Sequence, residues 1–246
     1  MVRRSKRVRG DDNEIYPNSP LVNVTCEITF PGNPAVECRR DTFWKKIRTR
    51  YPNFLVPAAE VGKPVALQPY RFQNPESGRT VSVALNSFAL TETKILRHKF
   101  FIAEFTRLSK AFHSCFRDID TVTRIGWRYI NVIPFSRENG VVPVKQFLRA
   151  SAELNGDMLE SARTFDVRAS RDIGSATVIV RLAVIGREGE GQQEALLLDI
   201  DYGCEKEKLR FAEAVKWVSA ARSHNRRFFE DVITDDYREY LRGKTL

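Results

Sequence analysis

The stretch TRIGWRYINVIPF (residues 123–135) decides the fold, because it is almost continuously apolar and is interrupted mainly by Arg124, Arg128 and Asn131. Written as an extended strand, it places alternate residues on opposite faces. One face carries Ile125, Trp127, Tyr129, Asn131, Ile133 and Phe135, and the other carries Arg124, Gly126, Arg128, Ile130, Val132 and Pro134. A strand that is apolar on both sides toward its end predicts a position in the middle of a sheet, covered there on both faces.

The three polar residues of this stretch carry separate expectations. Asn131 falls on the apolar face and needs hydrogen-bond partners, since leaving a buried amide unsatisfied costs about 1–3 kcal/mol. Arg124 and Arg128 would stand about 13 Å apart along an extended strand. That separation is too large for one carboxylate but suits a shared acidic surface. Any function of the strand should therefore lie on the Arg124 and Arg128 face.

Strand-like and helix-like segments before and after this stretch occur in a similar order. Residues 16–116 read as strand, short helix, strand, strand and long helix, and residues 121–231 read similarly as strand, short helix, three strands and long helix. We expect strands at 22–30, 65–73, 80–90, 164–170, 176–186 and 194–202, and long helices at about 96–116 and 206–230. The pattern predicts an α+β fold with a mainly antiparallel sheet and long helices on one face, composed of two similar β-α-β-β-α halves.

Charge is concentrated at the N-terminus. Five positive charges precede the first acidic residue, from Arg3, Arg4, Lys6, Arg7 and Arg9. Because the whole chain has a net charge of +9, the rest of it is only mildly basic. We expect residues 1–15 to be a disordered basic arm and residues 16–246 to be a single domain. The arm is explained either as a solvated tail or as a phosphate anchor without sequence readout.

Composition narrows the compartment and the chemistry. No apolar run approaches the roughly 18 residues that span a bilayer, and no apolar segment follows the basic N-terminus, so no membrane association and no secretory signal are expected. The four cysteines lack the spacing of a zinc site, and a chain of 246 residues does not need a disulfide framework. These features predict a cytoplasmic protein with reduced thiols and no cofactor.

Several blocks resemble a known family. Five blocks resemble the signatures of a sporadically distributed family of uncharacterised prokaryotic proteins. They are YPNSPLVNVTCEITF (16–30), Trp44 with IRTRYP (47–52), RIGWRYIN (124–131), LLLDIDY (196–202) and HNRRFFEDVITDDYREYL (224–241). The resemblance implies no catalytic residue and no activity. The patchy distribution implies, by analogy, genes that move between genomes, including defence or toxin–antitoxin loci.

The search for catalytic chemistry finds one weak candidate. Asp199 and Asp201 project to the same side of a predicted strand and could hold Mg²⁺ or Mn²⁺, although a solvent-facing strand side explains them as well. The three histidines, His98, His113 and His224, are better explained as surface or helix-end residues. The basic cluster around Arg222 and Arg226 is explained by the dipole at the end of a helix.

Three functional hypotheses remain. The first is a non-enzymatic intracellular binding protein that recognises a protein partner, for example one encoded by a neighbouring gene, through a sheet face or a groove beside the long helices. The second is a nucleic-acid-binding protein anchored by the basic arm, whose affinity should fall steeply with salt. The third is a metal-dependent enzyme acting on nucleotides or nucleic acid through Asp199 and Asp201.

Overall fold

The structure, a computed structural model, describes residues 14–56, 69–93, 98–137, 139–149, 161–186 and 193–245. The basic arm therefore lies outside the described residues. The strands are β1 Leu21–Thr29, β2 Asn53–Leu55, β3 Tyr70–Asn74, β4 Arg79–Ala84, β5 Ser87–Glu92, β6 Thr121–Pro134, β7 Asp166–Ile173, β8 Ala176–Ile185 and β9 Ala195–Arg210. The helices are α1 Ala35–Cys38, α2 Arg40–Ile47, α3 His98–Cys115, α4 Val144–Phe147, α5 Phe211–Val232 and α6 Asp235–Leu241. The predicted α+β class is confirmed.

The nine strands form one sheet in the order β2-β3-β4-β5-β1-β6-β9-β8-β7, and every neighbouring pair is antiparallel. The quoted stretch forms β6, which lies between β1 and β9 near the middle of the sheet. That central position is the one that its apolar character predicts.

The two halves of the chain contribute to the sheet in the same way. In each half a first strand, β1 or β6, pairs with the last strand of a three-stranded meander, β3-β4-β5 or β7-β8-β9. A long helix follows each meander, α3 in the first half and α5 in the second. The first strands of the halves pair with each other, so the sheet is continuous across the repeat.

Three predicted boundaries were wrong. The segment 80–90 is two strands, β4 and β5, because a two-residue turn at Leu85 and Asn86 separates them. The strand that was predicted to end at residue 202 continues as β9 to Arg210, because its ladder with β6 resumes after an irregularity at Val122 and Arg124. Helix α5 consequently begins at Phe211 rather than near residue 206. Of the predicted strand 65–73, residues 65–68 lie outside the described residues, and the part from Tyr70 onward forms β3, directly after Pro69, which cannot donate to a ladder.

The helices cover one face of the sheet in the described part of the chain. A row of directly paired residues crosses this face from β3 to β8: Phe72, Val81, Leu90, Cys26, Trp127, Tyr202 and Val178. All seven are buried. Each long or well-packed helix places an aromatic ring on this row, with Phe43 of α2 on Phe72, Phe101 of α3 on Trp127 and Trp217 of α5 on Tyr202.

The opposite face of β6 differs from the expectation of full cover. Ile130 and Val132 are only half-buried, and Arg128 is exposed. Their neighbours on β9 are Asp199 and Leu197. The described residues place no helix over them, so this side of the sheet, called here the open face, remains accessible.

Buried amides tie strands and helix together. Asn131 donates from Nδ2 to the Leu198 carbonyl at 3.1 Å, so its predicted partner is a neighbouring strand rather than a loop. Asn225 of α5 is fully buried and donates to the carbonyls of Trp127 and Ile200, at 2.7 and 3.3 Å. The position of α5 on β6 and β9 is therefore specified by hydrogen bonds as well as by apolar contact.

Candidate functional site

The open face brings together the two pairs of residues that the sequence singled out. Arg124 and Arg128 project from β6, and Asp199 and Asp201 project from the adjacent β9. Arg128 stands directly opposite Asp201, while Ile130 stands opposite Asp199. The candidate arginines and the candidate carboxylates therefore form one charged cluster.

Arg128 is held in a fork by Asp199. Its Nε and Nη2 atoms donate to the two oxygens of the Asp199 carboxylate, at 2.8 and 2.5 Å. The side chain of Asp199 is only 10% exposed, whereas that of Arg128 is 47% exposed. A guanidinium fixed in this bidentate way keeps its remaining N–H donors turned outward and loses little further rotational freedom on binding a partner.

Arg124 lies in a notch formed by two glycines. Gly126 and Gly203 are directly paired between β6 and β9. A Cβ atom added to Gly126 would lie 2.4 Å from Nη1 of Arg124, and one added to Gly203 would lie 2.7 Å from Nη2. The absence of side chains at both positions lets the guanidinium lie flat across the two strands and donate to Asp201 at 2.7 Å.

A recess of about 300 Å³ opens beside this cluster, lined by Arg128, Arg168, Ile179, Arg181, Asp199 and Asp201. Arg168 of β7 is directly opposite Arg181 of β8. Arg181 is paired with Asp166, with Nη2 and Oδ2 2.6 Å apart, whereas Arg168 has no ion-pair partner among the described residues. Two like charges directly opposite each other weaken strand pairing. Because Arg168 has no counter-ion among the described residues, this edge of the sheet retains uncompensated positive charge.

The sequence hypotheses did not single out Arg168 and Arg181. Arg168 lies in the strand DVRASRDI and Arg181 in the strand ATVIVRLAVI. In each strand the local pattern indicates only that the arginine belongs to an exposed face. Their convergence on Arg128 depends on the strand order β6-β9-β8-β7, and the order is not encoded in the local pattern.

The ion pairs of Asp199 and Asp201 with arginines compete with the predicted metal site. Both carboxylates of the β9 pair are already bonded to guanidinium groups, so a cation would have to displace Arg128 and Arg124. The sequence DID of residues 199–201 occurs again at residues 118–120, where Asp118 accepts from Asn33 and Arg39, at 2.7 and 3.2 Å. No group of three or more histidine, cysteine or acidic residues in the described ranges is arranged to hold a metal ion.

The basic cluster of α5 has a different environment from the one expected. The helix extends to Val232, so Arg222 and Arg226 lie before its last turn, and the helix-dipole explanation for them was wrong. Both residues line a cavity beside the beginning of α3, together with His98. His98 does begin a helix, as expected, but it faces this cavity, and burial lowers its pKa to about 4, with the charges of Arg222 and Arg226 adding to the effect. His224 instead stacks on Tyr202, with ring centroids 4.8 Å apart.

Comparison with protein-family models and with curated proteins gave no match. The resemblance carried by the five sequence blocks therefore stays a prediction. Among the described residues, none of the helices combines the length and the apolar character that crossing a membrane requires. Arg3, Arg4, Lys6, Arg7 and Arg9 lie outside the described residues, and their role stays a prediction as well.

Proposed function

We propose that this chain is a non-enzymatic binding protein that recognises an acidic surface of a protein partner through the second half of the open face. The observation that carries the proposal is the recess between Arg128, Arg168 and Arg181. Its arginines outnumber its two carboxylates, and Arg168 contributes a charge with no counter-ion among the described residues. A carboxylate from a partner would supply the missing counter-ion.

The rigidity of the cluster supports binding rather than catalysis. Asp199 fixes Arg128, and the paired glycines fix Arg124, so the outward-facing donors are already positioned before a partner arrives. Pre-organised groups give affinity because less side-chain freedom is lost on association. Charge complementarity at such a face also raises the association rate and discriminates against partners of the wrong sign.

The cellular setting is part of the same proposal. We place the protein inside the cell, in a mobile defence or toxin–antitoxin-type locus, with a partner encoded by a neighbouring gene. The support for this setting is the resemblance of its sequence blocks to a sporadically distributed prokaryotic family. The support for an acidic partner is the charge of the recess.

The test is co-purification of the full chain with the products of its neighbouring genes, followed by affinity measurements on the captured protein. Arg168→Glu should weaken binding at least tenfold, because it reverses the unpaired charge while forming a favourable pair with Arg181. Arg171→Glu is the matched control, since Arg171 lies on the same strand but projects to the other face. Arg171→Glu should leave the affinity unchanged.

Four results would overturn the proposal. One is that no neighbour-encoded protein binds, and another is equal loss of affinity in Arg168→Glu and Arg171→Glu. The third is tight binding of duplex DNA or RNA that is lost when residues 1–10 are deleted and falls steeply with salt, which would favour the nucleic-acid hypothesis. Measured turnover of a nucleotide that depends on Mn²⁺ and on Asp199 would favour the enzyme hypothesis instead.

A further inference from the structure

A cavity of about 790 Å³ lies on the helix-covered side of the sheet, away from the open face. Its walls come from the segment before β1, the first turns of α3, the middle and end of α5, and strand β6. A volume of this size is typical of sites for small organic molecules. The proposed protein interface does not account for it.

The cavity is rich in hydrogen-bond donors. Arg222 and Arg226 face it from successive turns of α5, and Lys99 and Ser223 line it as well. Glu14, the one carboxylate among the described lining residues, accepts from the guanidinium of Arg242 at 2.7 and 3.1 Å. Positive charge and donors therefore predominate around the empty space.

The Tyr129 hydroxyl is the strongest single indication of a ligand. Tyr129 is 3% exposed and lines the cavity. The N–H groups of Trp127 and Arg222 lie near its oxygen and oppose the rise in its pKa, but its hydroxyl hydrogen has no acceptor of ordinary geometry among the described residues. Burying a hydroxyl without a partner is unfavourable. Burial raises its pKa to about 12, so the group keeps its proton and can donate it.

Arg226 is fixed at the wall of the cavity by two contacts. Its guanidinium lies 4.5 Å from the ring centre of Tyr16 and 2.8 Å from the Glu230 carboxylate. Glu230 also accepts from Arg238 at 2.9 Å, and Arg238 is paired in turn with Asp235. A positioned guanidinium therefore lines the same cavity as Tyr129.

The other walls are apolar. Ile15, Leu21, Ile102 and Phe229 line the same cavity, and Phe229 is buried. The space therefore has a cationic, donor-rich part and an apolar part. A ligand that matches both must carry a compact anion on an apolar body.

We propose that the cavity binds a small phosphate monoester, with the phosphate at Arg222, Arg226 and Tyr129 and its organic part against Ile102 and Phe229. A phosphate monoester offers three terminal oxygens that each accept several hydrogen bonds, which matches guanidinium and hydroxyl donors better than a carboxylate does. The site is independent of the open face and extends the function beyond protein binding.

The test uses calorimetry on the full chain with phenyl phosphate, AMP, inorganic phosphate and benzoate as probes. Phenyl phosphate or AMP should bind at least tenfold more tightly than inorganic phosphate, because only the esters occupy the apolar part. Phenol and adenosine, which lack the phosphate, should not bind. Benzoate should bind more weakly than phenyl phosphate.

Tyr129→Phe should weaken binding of phenyl phosphate about tenfold while the thermal midpoint of the free protein stays equal or rises, because the removed hydroxyl has no ordinary partner. Tyr202→Phe is the matched control, a buried tyrosine on the same sheet face and the adjacent strand, and it should leave binding unchanged. Arg168→Glu should also leave it unchanged, which separates this site from the proposed interface.

Absence of binding by both esters would overturn the proposal. Equal binding of benzoate and phenyl phosphate would overturn the phosphate assignment. Unaltered affinity in Tyr129→Phe would show that any observed binding occurs elsewhere.

Discussion

The two halves of the molecule share one topology but differ on the open face of the sheet. One row of directly paired residues runs through Gln73, Thr80, Thr91 and Thr25 in the first half and continues through Arg128 and Asp201 in the second. Thr25 and Thr91 satisfy each other with a hydrogen bond of 2.9 Å. Along this row, neutral side chains thus give way to charged ones at the boundary between the halves.

The helix-covered face shows a matching difference. The first half packs Phe112 against other phenylalanine rings at centroid distances of 4.7–5.7 Å, whereas a cavity beside Tyr129 remains where α3 and the segment before β1 meet α5 and β6 of the second half. Dense apolar packing supplies stability, and cavities and charges supply recognition. The difference teaches that the interior of the first half acts mainly as support, and that the proposed binding sites lie in the second half and at its junction with the first.

The largest expected effect tests this contrast in stability. Phe112→Ala should lower the free energy of unfolding by about 3–5 kcal/mol, because the fully buried ring leaves a void among rigid aromatic neighbours. Phe229→Ala, which enlarges a space that is already polar and open, should cost at least about 1 kcal/mol less. Urea unfolding of both variants measures the difference, and equal costs would contradict the contrast.

The next effect concerns pH and the junction of the two halves, where His98 of α3 lines the same cavity as residues of α5 and β6. His98 has a folded-state pKa of about 4, below the roughly 6.5 of an unfolded histidine, so unfolding takes up a proton between these values. The stability that the neutral ring contributes is complete above about pH 6.5 and falls as the pH drops toward 4, by about 2–3 kcal/mol. His98→Gln should lose less stability than wild type over this range.

Urea unfolding at pH 7 and pH 4.5 measures this difference. Titration of the His98 ring by NMR gives its pKa directly. A folded-state pKa near 6.5 would show that the cavity does not exclude water from the ring.

The smallest expected effect concerns the glycine notch. Gly126→Ala should change the free energy of unfolding by less than about 1 kcal/mol, since the added Cβ displaces only the flexible end of Arg124 and alanine suits a strand slightly better than glycine. Gly203→Ala should behave alike. The structure of either variant should show the contact between Arg124 and Asp201 lost, and a retained contact would refute the close approach.

Much of the fold could be predicted from local patterns. The alternation in β1, the apolar stretch of β6 and the periodic phenylalanines of α3 each specify an element, because side-chain period and burial are directly linked. Thr234, which precedes the last helix, caps it in the usual way for a threonine, since its hydroxyl accepts from the Tyr237 amide at 3.1 Å. These features depend on residues within a few positions of one another.

The remainder depends on contacts between distant segments. The boundary between β9 and α5 was misplaced because the ladder that extends β9 comes from Thr121 and Val122, far away in sequence. The pairing of Arg128 with Asp199 joins residues 71 positions apart. The cavity is still less visible in the sequence, since its histidine, tyrosine and arginines look like separate surface residues until α3, β6 and α5 are assembled.

The buried carboxylate of Glu230 has a consequence for the order of synthesis. It accepts from Tyr16 at 2.8 Å and from Arg238 at 2.9 Å, so its partners leave the ribosome at opposite ends of translation. Until Arg238 has emerged, α5 carries an acid that lacks one of its two cations, and its docking on the sheet is penalised. The docking of α5 on β6 and β9 is therefore completed only late in synthesis, and until then the apolar face of these strands that α5 covers stays exposed.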